Sequence, residues 1–524
     1  MKLSSAGVWS AACVLTALAC GDSDADPSAS PTPDGGVSPS PDASVDGSTS
    51  DGATANRAVL LKAGLTVPIG VTPAGLVVYA VFTSGKIDGP ADIEAVPITG
   101  GTPVKIVTSS GAAGMQGTKL SGGALAWWTN VTDGIGTLNV WNATDGVKTA
   151  LSTTSAAPTQ MDGRETYFYA SADGRRVVFS TNATAETTNL QVVDVATATT
   201  VTTGMLPDDD VILRERPLTE CAGSLRFAGK NFIASFCRAD KQPRAYVVPD
   251  GSTTAVRVDD KGDVAALGPI KPSILRADDT GNRVFLPGLN PLHGRVLDLT
   301  NASAIVSTQL SVDEAFVTKD GAVVSLTKTT GDVTRSNPDG TKKRLARGVT
   351  DLLVPTNVGA RALIKQNKVA PVYRTFELNT ETVTKTIAPA DPLLLVMGFT
   401  GSGNRLVFGR AVGEPLRLAV SSIPSEGGPE RELATGLGGT DQVFIPPEGD
   451  AVVVMANITP LPKDGLYPGD IFGYTTELRY VDAGTGAYVS VADGAFFIPH
   501  FFGKKVVYLR CLEPGIGIYV FDPK

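Results

Sequence analysis

The chain has 524 residues, 57 of them Gly and 35 Pro, and a formal charge of −8. With the seven Asp of residues 21–56 and Lys2 set aside, the remainder carries only −2. This near-neutral balance excludes a nucleic-acid footprint and a strong steering field. Abundant turn formers without sustained helical periodicity favour an all-β body.

The first twenty residues read as a targeting device. Lys2 precedes a short apolar run, Ala6 to Ala19, and then Cys20. The run is too short to span a bilayer and fits the core of a signal peptide. Leu15-Thr16-Ala17-Leu18-Ala19-Cys20 resembles a bacterial lipobox, although Ala17 stands where that family usually has Leu. The resemblance implies cleavage before Cys20, diacylglycerol on its thiol and acylation of the new amine, palmitate being the usual acid. Several acyl chains make a firm anchor, because each buried CH₂ contributes roughly 0.8 kcal/mol. Gly21 after the Cys is similar to an outer-membrane address, on the periplasmic face or the cell surface. An ordinary signal peptide cut near Ala19 is the alternative. Residues 21–56 are Asp, Ser, Pro and Gly with almost nothing to bury. Such a segment cannot offset its ordering entropy and is expected to be a disordered tether.

From residue 57 to 524 one unit recurs: a tight turn, an apolar strand, a second strand closing on an acidic or Asn residue, a short turn and a Thr/Val-rich strand. The turns fall at Pro73-Ala74-Gly75, Ser121-Gly122-Gly123, Ala172-Asp173-Gly174, Ala228-Gly229-Lys230 and Asp279-Thr280-Gly281. They continue at Lys319-Asp320-Gly321, Asn357-Val358-Gly359, Gly401-Ser402-Gly403, Pro447-Glu448-Gly449 and Phe502-Gly503-Lys504. Gly or Asp at a hairpin tip makes positive φ cheap. Four short strands per repeat are the signature of a β-propeller with antiparallel blades. Ser171 to Asp194 and Gly503 to Asp522 resemble the TolB-type, WD40-like repeat, whose motif specifies blades and not chemistry. Ten starts exceed the usual four to eight blades. They leave open larger blades, one large ring, or two rings with a boundary near residue 310. Only two strands remain after Gly503, so the strand from Arg57 to Gly64 is expected to complete the last blade and close the ring.

The chemistry-bearing residues are few. His293 and His500 are the only two His, which excludes a His-rich zinc site. His500, on an innermost strand of the last blade, either faces a central channel or packs. Ser402 sits in a hairpin tip and not in a nucleophile elbow. Asp208-Asp209-Asp210 and Asp259-Asp260 with Asp263 are oxygen-rich, yet lack EF-hand spacing. Lys342-Lys343-Arg344 read as a charged blade edge, or a patch for an acidic partner. Cys221 and Cys237 are each eight residues from Gly229 and are candidates for a disulfide, with Cys511 left over. The insertion from Ile458 to Thr476 carries Tyr467, Phe472 and Tyr474, a candidate partner loop, or a loop folded on its own blade. No catalytic set, cofactor motif or metal site is predicted. The expectation is a lipid-anchored envelope propeller that binds a protein or glycan without catalysis, with no nucleic-acid partner. The alternatives are a hydrolase or lyase at the channel mouth and a structural envelope lipoprotein.

Overall fold

The computed structural model describes residues 58–523 with gaps, the longest at 109–117, 157–167, 214–223, 260–275, 354–360 and 462–473. The described elements are strands, joined by turns, with no helix. Six sheets hold four antiparallel strands each. Two larger sheets divide the same way. A nine-stranded sheet joins two four-stranded units through one residue pair, Thr181 with Ser155, and carries a short extra strand, Ile212–Leu213. An eight-stranded sheet joins two units through Ala495 and Arg510. The result is ten four-stranded units in chain order. Sheets 1 to 5 cover residues 66–107, 118–156, 168–205, 224–257 and 276–310; sheets 6 to 10 cover 314–346, 349–389, 394–437, 442–496 and 500–521.

Among the described residues, each sequence turn joins the first and second strands of its own sheet; Asp279-Thr280-Gly281, Lys319, Gly321 and Asn357-Val358-Gly359 lie outside them. Thr72, Ser171, Thr318 and Thr400 open four of these turns and are all buried. Ser171 shows why a small hydroxyl sits there. Its N–H bonds the Arg176 carbonyl, its carbonyl accepts from Gly174 N–H, and its hydroxyl both donates to Asp173 and accepts from Arg176 N–H. The side chain closes the polar groups that a buried turn would otherwise leave open.

The second strands are continuous apolar runs for a physical reason. Val77, Val78, Tyr79 and Ala80 are all 0% exposed, so both faces of the sheet are covered. Sheets packed on both sides lose the in–out alternation of a half-solvated strand. Fourth strands are the opposite: Lys342–Ala346 is exposed over its first three residues, as the charged-edge reading anticipates.

Apolar clusters bridge successive sheets from sheet 2 to sheet 10. Trp128 of sheet 2 meets Phe168 of sheet 3 edge-on, centroids 6.5 Å apart. Sheets 5 and 6, either side of residue 310, share Phe285, Val296, Ala315 and Val323. Val453, Met455 and Tyr508 join sheets 9 and 10. The largest cluster spans sheets 10, 1 and 2, with Val507, Ile518, Val77, Ile93 and Trp127. The N-terminal strand Ala58–Ala63 is the fourth strand of sheet 10, antiparallel to Gly517–Phe521, with Ala58 opposite Phe521.

These antiparallel sheets have two ends. The turns between strands 1 and 2, and between strands 3 and 4, lie at one end, the turn end. The strand 2 to strand 3 connections lie at the other, the loop end. Ala58, which opens a fourth strand, is at the turn end.

Candidate partner surface at the loop end

Tyr474 opens the third strand of sheet 9, opposite Pro460, and is 49% exposed. Tyr467 and Phe472 lie outside the described residues. At the near end of the same insertion Leu461 is buried in the cluster of sheets 10, 1 and 2. The insertion is therefore rooted in the core at Leu461 and open to solvent at Tyr474.

The strand leading into it is bent by a bulge. Asn457 has φ of 54°, and the register shifts between Ala456 and Thr459. Sheet 2 repeats this feature: Asn130 has φ of 53°, with a shift between Thr129 and Thr132. These are the two non-glycine residues with positive φ among those described. Asn tolerates this region better than β-branched neighbours such as Val131 and Ile458. In sheet 2 a tight hairpin through Gly134 follows the bulge; in sheet 9 the insertion replaces it. The equivalence extends further, since Ser155 to Thr181 and Ala495 to Arg510 are the matching bridges from sheets 2 and 9 to the sheet that follows.

Exposed apolar side chains gather at these connections: Val131 in sheet 2, Val412 in sheet 8, Tyr474 in sheet 9 and Leu512 in sheet 10. A polar cluster stands beside Tyr474. Glu477 accepts from Arg479 Nε at 2.8 Å and from Asn457 Nδ2 at 2.7 Å. The bond from Arg479, against the opposing effect of burial, holds the Glu477 carboxyl below its ordinary range. The Arg479 guanidinium also lies over the Tyr488 ring, 5.1 Å from its centroid. The cluster gives the base of the insertion a fixed charged support, so exposed apolar groups and ordered polar groups sit side by side as at a protein interface.

The other candidates have structural partners. His500 starts the first strand of sheet 10, and its imidazole N–H donates to the Pro68 carbonyl of sheet 1. Burial lowers its pKa, only partly offset by that bond. It is a seam residue rather than an open base. Ser402, Thr400 and Asn404 of sheet 8 all donate to Asp450 of sheet 9, Thr400 at 2.6 Å and Asn404 at 2.9 Å. The Ser402 hydroxyl is thus spent on a sheet-to-sheet tie. Asp259 accepts from Ala245 N–H at 3.0 Å and pairs with Arg257 at 2.8 Å. Asp208, Asp209, Asp210, Asp260 and Asp263 lie outside the described residues. Cys511 is buried, which pushes its thiol up to about 12. Cys20 and Cys221 lie outside the described residues, as do the side chains of Cys237 and His293. Among the described residues no group of three His, Cys, Asp or Glu could hold a metal, and no helix is long and apolar enough to cross a membrane.

Sequence reasoning found Tyr474 but missed the Asn bulges and the exposed Val131, Val412 and Leu512. A valine buried on both faces and a valine left at a loop end read alike in sequence.

No protein-family description matches the chain, and no curated protein matches it. Solved structures do. A eukaryotic initiation factor aligns with 74% of this chain and 90% of its own, at 10% identity and a TM-score of 0.43. The tricorn protease aligns with 85% of this chain at 13% identity and a TM-score of 0.32. The chain spans only 46% of that protease. TolB from Acinetobacter baumannii aligns with 60% of this chain and 64% of its own, at 12% identity and a TM-score of 0.24. TolB and the tricorn protease are β-propeller proteins.

Proposed function

We propose that the chain is a bacterial envelope lipoprotein, anchored through Cys20 to the outer membrane. Its body is a ten-bladed β-propeller closed by its N-terminal strand, and it acts as a non-catalytic platform for a protein or glycan. Ring closure is supported by two observations: the pairing of Ala58–Ala63 with Gly517–Phe521, and the apolar cluster shared by sheets 10, 1 and 2. Anchoring is supported by the lipobox-like Leu15 to Cys20 and by the seven-Asp tether behind it.

The observation that carries the binding role is the run of exposed apolar groups at the loop end of sheets 8, 9, 10 and 2, beside the Glu477–Arg479 cluster. Wheel-like folds place such connections on one broad face, where a partner can span several sheets.

The test is a photo-reactive residue at Tyr474 or Val131, irradiated in the native envelope, with Lys343 on the edge of sheet 6 as control. A single partner recovered from the first two sites and absent at the third is expected. Purified, that partner should bind the Tyr474→Ser, Val131→Ser double variant about tenfold or more weakly, as for loss of interface anchors. Equal capture from all three sites overturns the surface. Turnover of a peptide or glycan library that is lost on changing a carboxylate overturns the non-catalytic role. Anchoring is tested separately, because Cys20→Ala should free the chain from membranes.

A further inference from the structure

The geometry points to a membrane-resting rim: the outer turn end of sheets 9, 10, 1 and 2, which lies against the lipid bilayer while the loop end faces away. Five exposed apolar or amphipathic side chains carry it. Tyr488 opens the fourth strand of sheet 9, Val59 and Leu60 belong to that of sheet 10, Val104 opens that of sheet 1, and Val147 immediately precedes that of sheet 2. All five are between 46% and 56% exposed. Val59, Val104 and Tyr488 therefore sit on, and Val147 beside, the turn-end starts of the outermost strands of four sheets in spatial succession, with Leu60 one residue further along its strand. Among the described residues, the other exposed large apolar side chains are Val131, Val412, Tyr474 and Leu512, all at the loop end. The fourth strands of sheets 6 and 8 open instead on Lys342 and Arg431.

Two features choose a lipid surface over a second copy of the chain. The first is where the rest of the chain attaches. Residues 1–57 join the body at Ala58, next to Val59 and at the turn end. The acyl chains expected on Cys20 would hold this rim nearer the bilayer than any other part of the molecule. A tether of this length keeps the body at an effective concentration of order millimolar, so a weak docking surface suffices. The second is charge. Lys62 is paired with Glu94, Lys105 with Asp92 and Arg479, which lies over the Tyr488 ring, with Glu477, while Asp145 and Lys148 flank Val147 with opposite charges. The rim is near neutral, so apolar insertion and not attraction to anionic headgroups would hold it. Tyr488 fits the headgroup level, with an apolar ring and a polar tip.

This inference rests on the lipid-anchored reading for the tether's destination, and its test keeps the two apart. The full acylated chain is placed in vesicles of phosphatidylethanolamine and phosphatidylglycerol, with a fluorophore on Val104→Cys or on Val131→Cys. Quenching by bromolipid is then read. Strong quenching at 104 and little at 131 is expected, unchanged by raised salt. The Leu60→Ser, Tyr488→Ser pair should lower the docking equilibrium by about tenfold or more and remove the difference. Equal quenching at the two sites overturns the rim while leaving the anchor intact. Energy transfer between 104 labels that rises with protein density, without lipid quenching, assigns the rim to a second copy and overturns it too. Vesicle association unaffected by Cys20→Ala overturns the anchor alone, because the 104-against-131 contrast is read independently.

Discussion

Lys62 Nζ lies 2.8 Å from Glu94 Oε2, so the N-terminal strand that completes sheet 10 is also pinned to sheet 1. The Tyr79 hydroxyl donates to the same oxygen at 3.0 Å. Burial, then that bond and the Glu94 charge, raise the Tyr79 hydroxyl above its ordinary range. Leu61 packs into the large cluster next door. The N-terminal strand thus has a ladder, an apolar contact and an ion pair. Lys62→Met leaves a largely buried carboxylate with one donor. A cost of about 1–2 kcal/mol is expected, felt first as local opening of this strand. Hydrogen exchange at Val59 to Lys62 should quicken by roughly 5–30-fold. Exchange unchanged within error would mean that the ion pair does not hold this strand.

The turns of sheets 2 and 3 touch backbone to backbone, and that contact admits only glycine. Gly122 has φ of +48°, and a Cβ on it would lie 2.3 Å from the Ser171 carbonyl oxygen. A Cβ on Gly174 would meet the Gly123 oxygen at the same distance. Gly146, also at positive φ, has nothing within 4 Å. Gly122→Ala should therefore cost about 2–4 kcal/mol, overlap added to the left-handed penalty, and Gly146→Ala about 1 kcal/mol. Urea denaturation of the two variants side by side decides it. Equal losses would mean that the turn contact yields without strain.

Arg176 performs a different tie. It opens the second strand of sheet 3 and reaches into sheet 4, donating to the carbonyls of Lys230, Pro249 and Ser252 at 3.0, 2.8 and 2.7 Å. Burial lowers its pKa, with Asp250, Asp194 and Asp173 opposing. Arg361 does the same between sheets 7 and 8, donating to Gly403 O at 2.8 Å. One planar fork satisfies three carbonyls, which a lysine cannot do in that geometry. Arg176→Lys should lose about 1–3 kcal/mol and Arg176→Met at least as much, read from denaturant midpoints. Full stability of the lysine variant would show that charge alone suffices there.

The contrast between these ties and the strands explains what the sequence could reveal. Turn tips such as Ala172-Asp173-Gly174 and runs such as Val177-Val178-Phe179 are local signals, so the turns that the structure describes were visible, and with them the pairing of the first strand with the last sheet. The partners of Arg176 are 54 to 76 residues away, and nothing near Arg176 announces them. The buried hydroxyls of Thr72, Thr318 and Thr400 recur at one turn position, yet a Thr beside a turn reads as ordinary polar loop. Tyr474 stood out because aromatics are rare in an insertion. Val59 and Val104 did not, since exposure depends on which strand of a sheet is outermost.

Asp450 makes the network between sheets 8 and 9 sensitive to acid. Burial pushes its carboxyl up, but the bonds from Ser402, Thr400 and Asn404, with the charge of Arg405, outweigh this and leave its pKa lowered. A carboxyl with a lowered folded pKa contributes stability above its unfolded value, about 3.9. That contribution disappears as pH falls through the folded value. Asp173 and Asp320 are lowered too, so the whole protein should weaken below about pH 4. The difference between wild type and Asp450→Asn isolates this one group. The variant should be the less stable at neutral pH, and the gap should narrow steadily below about pH 4. Urea titrations across that range measure it. A gap that stays constant with pH would mean that Asp450 acts through its shape and not through its charge.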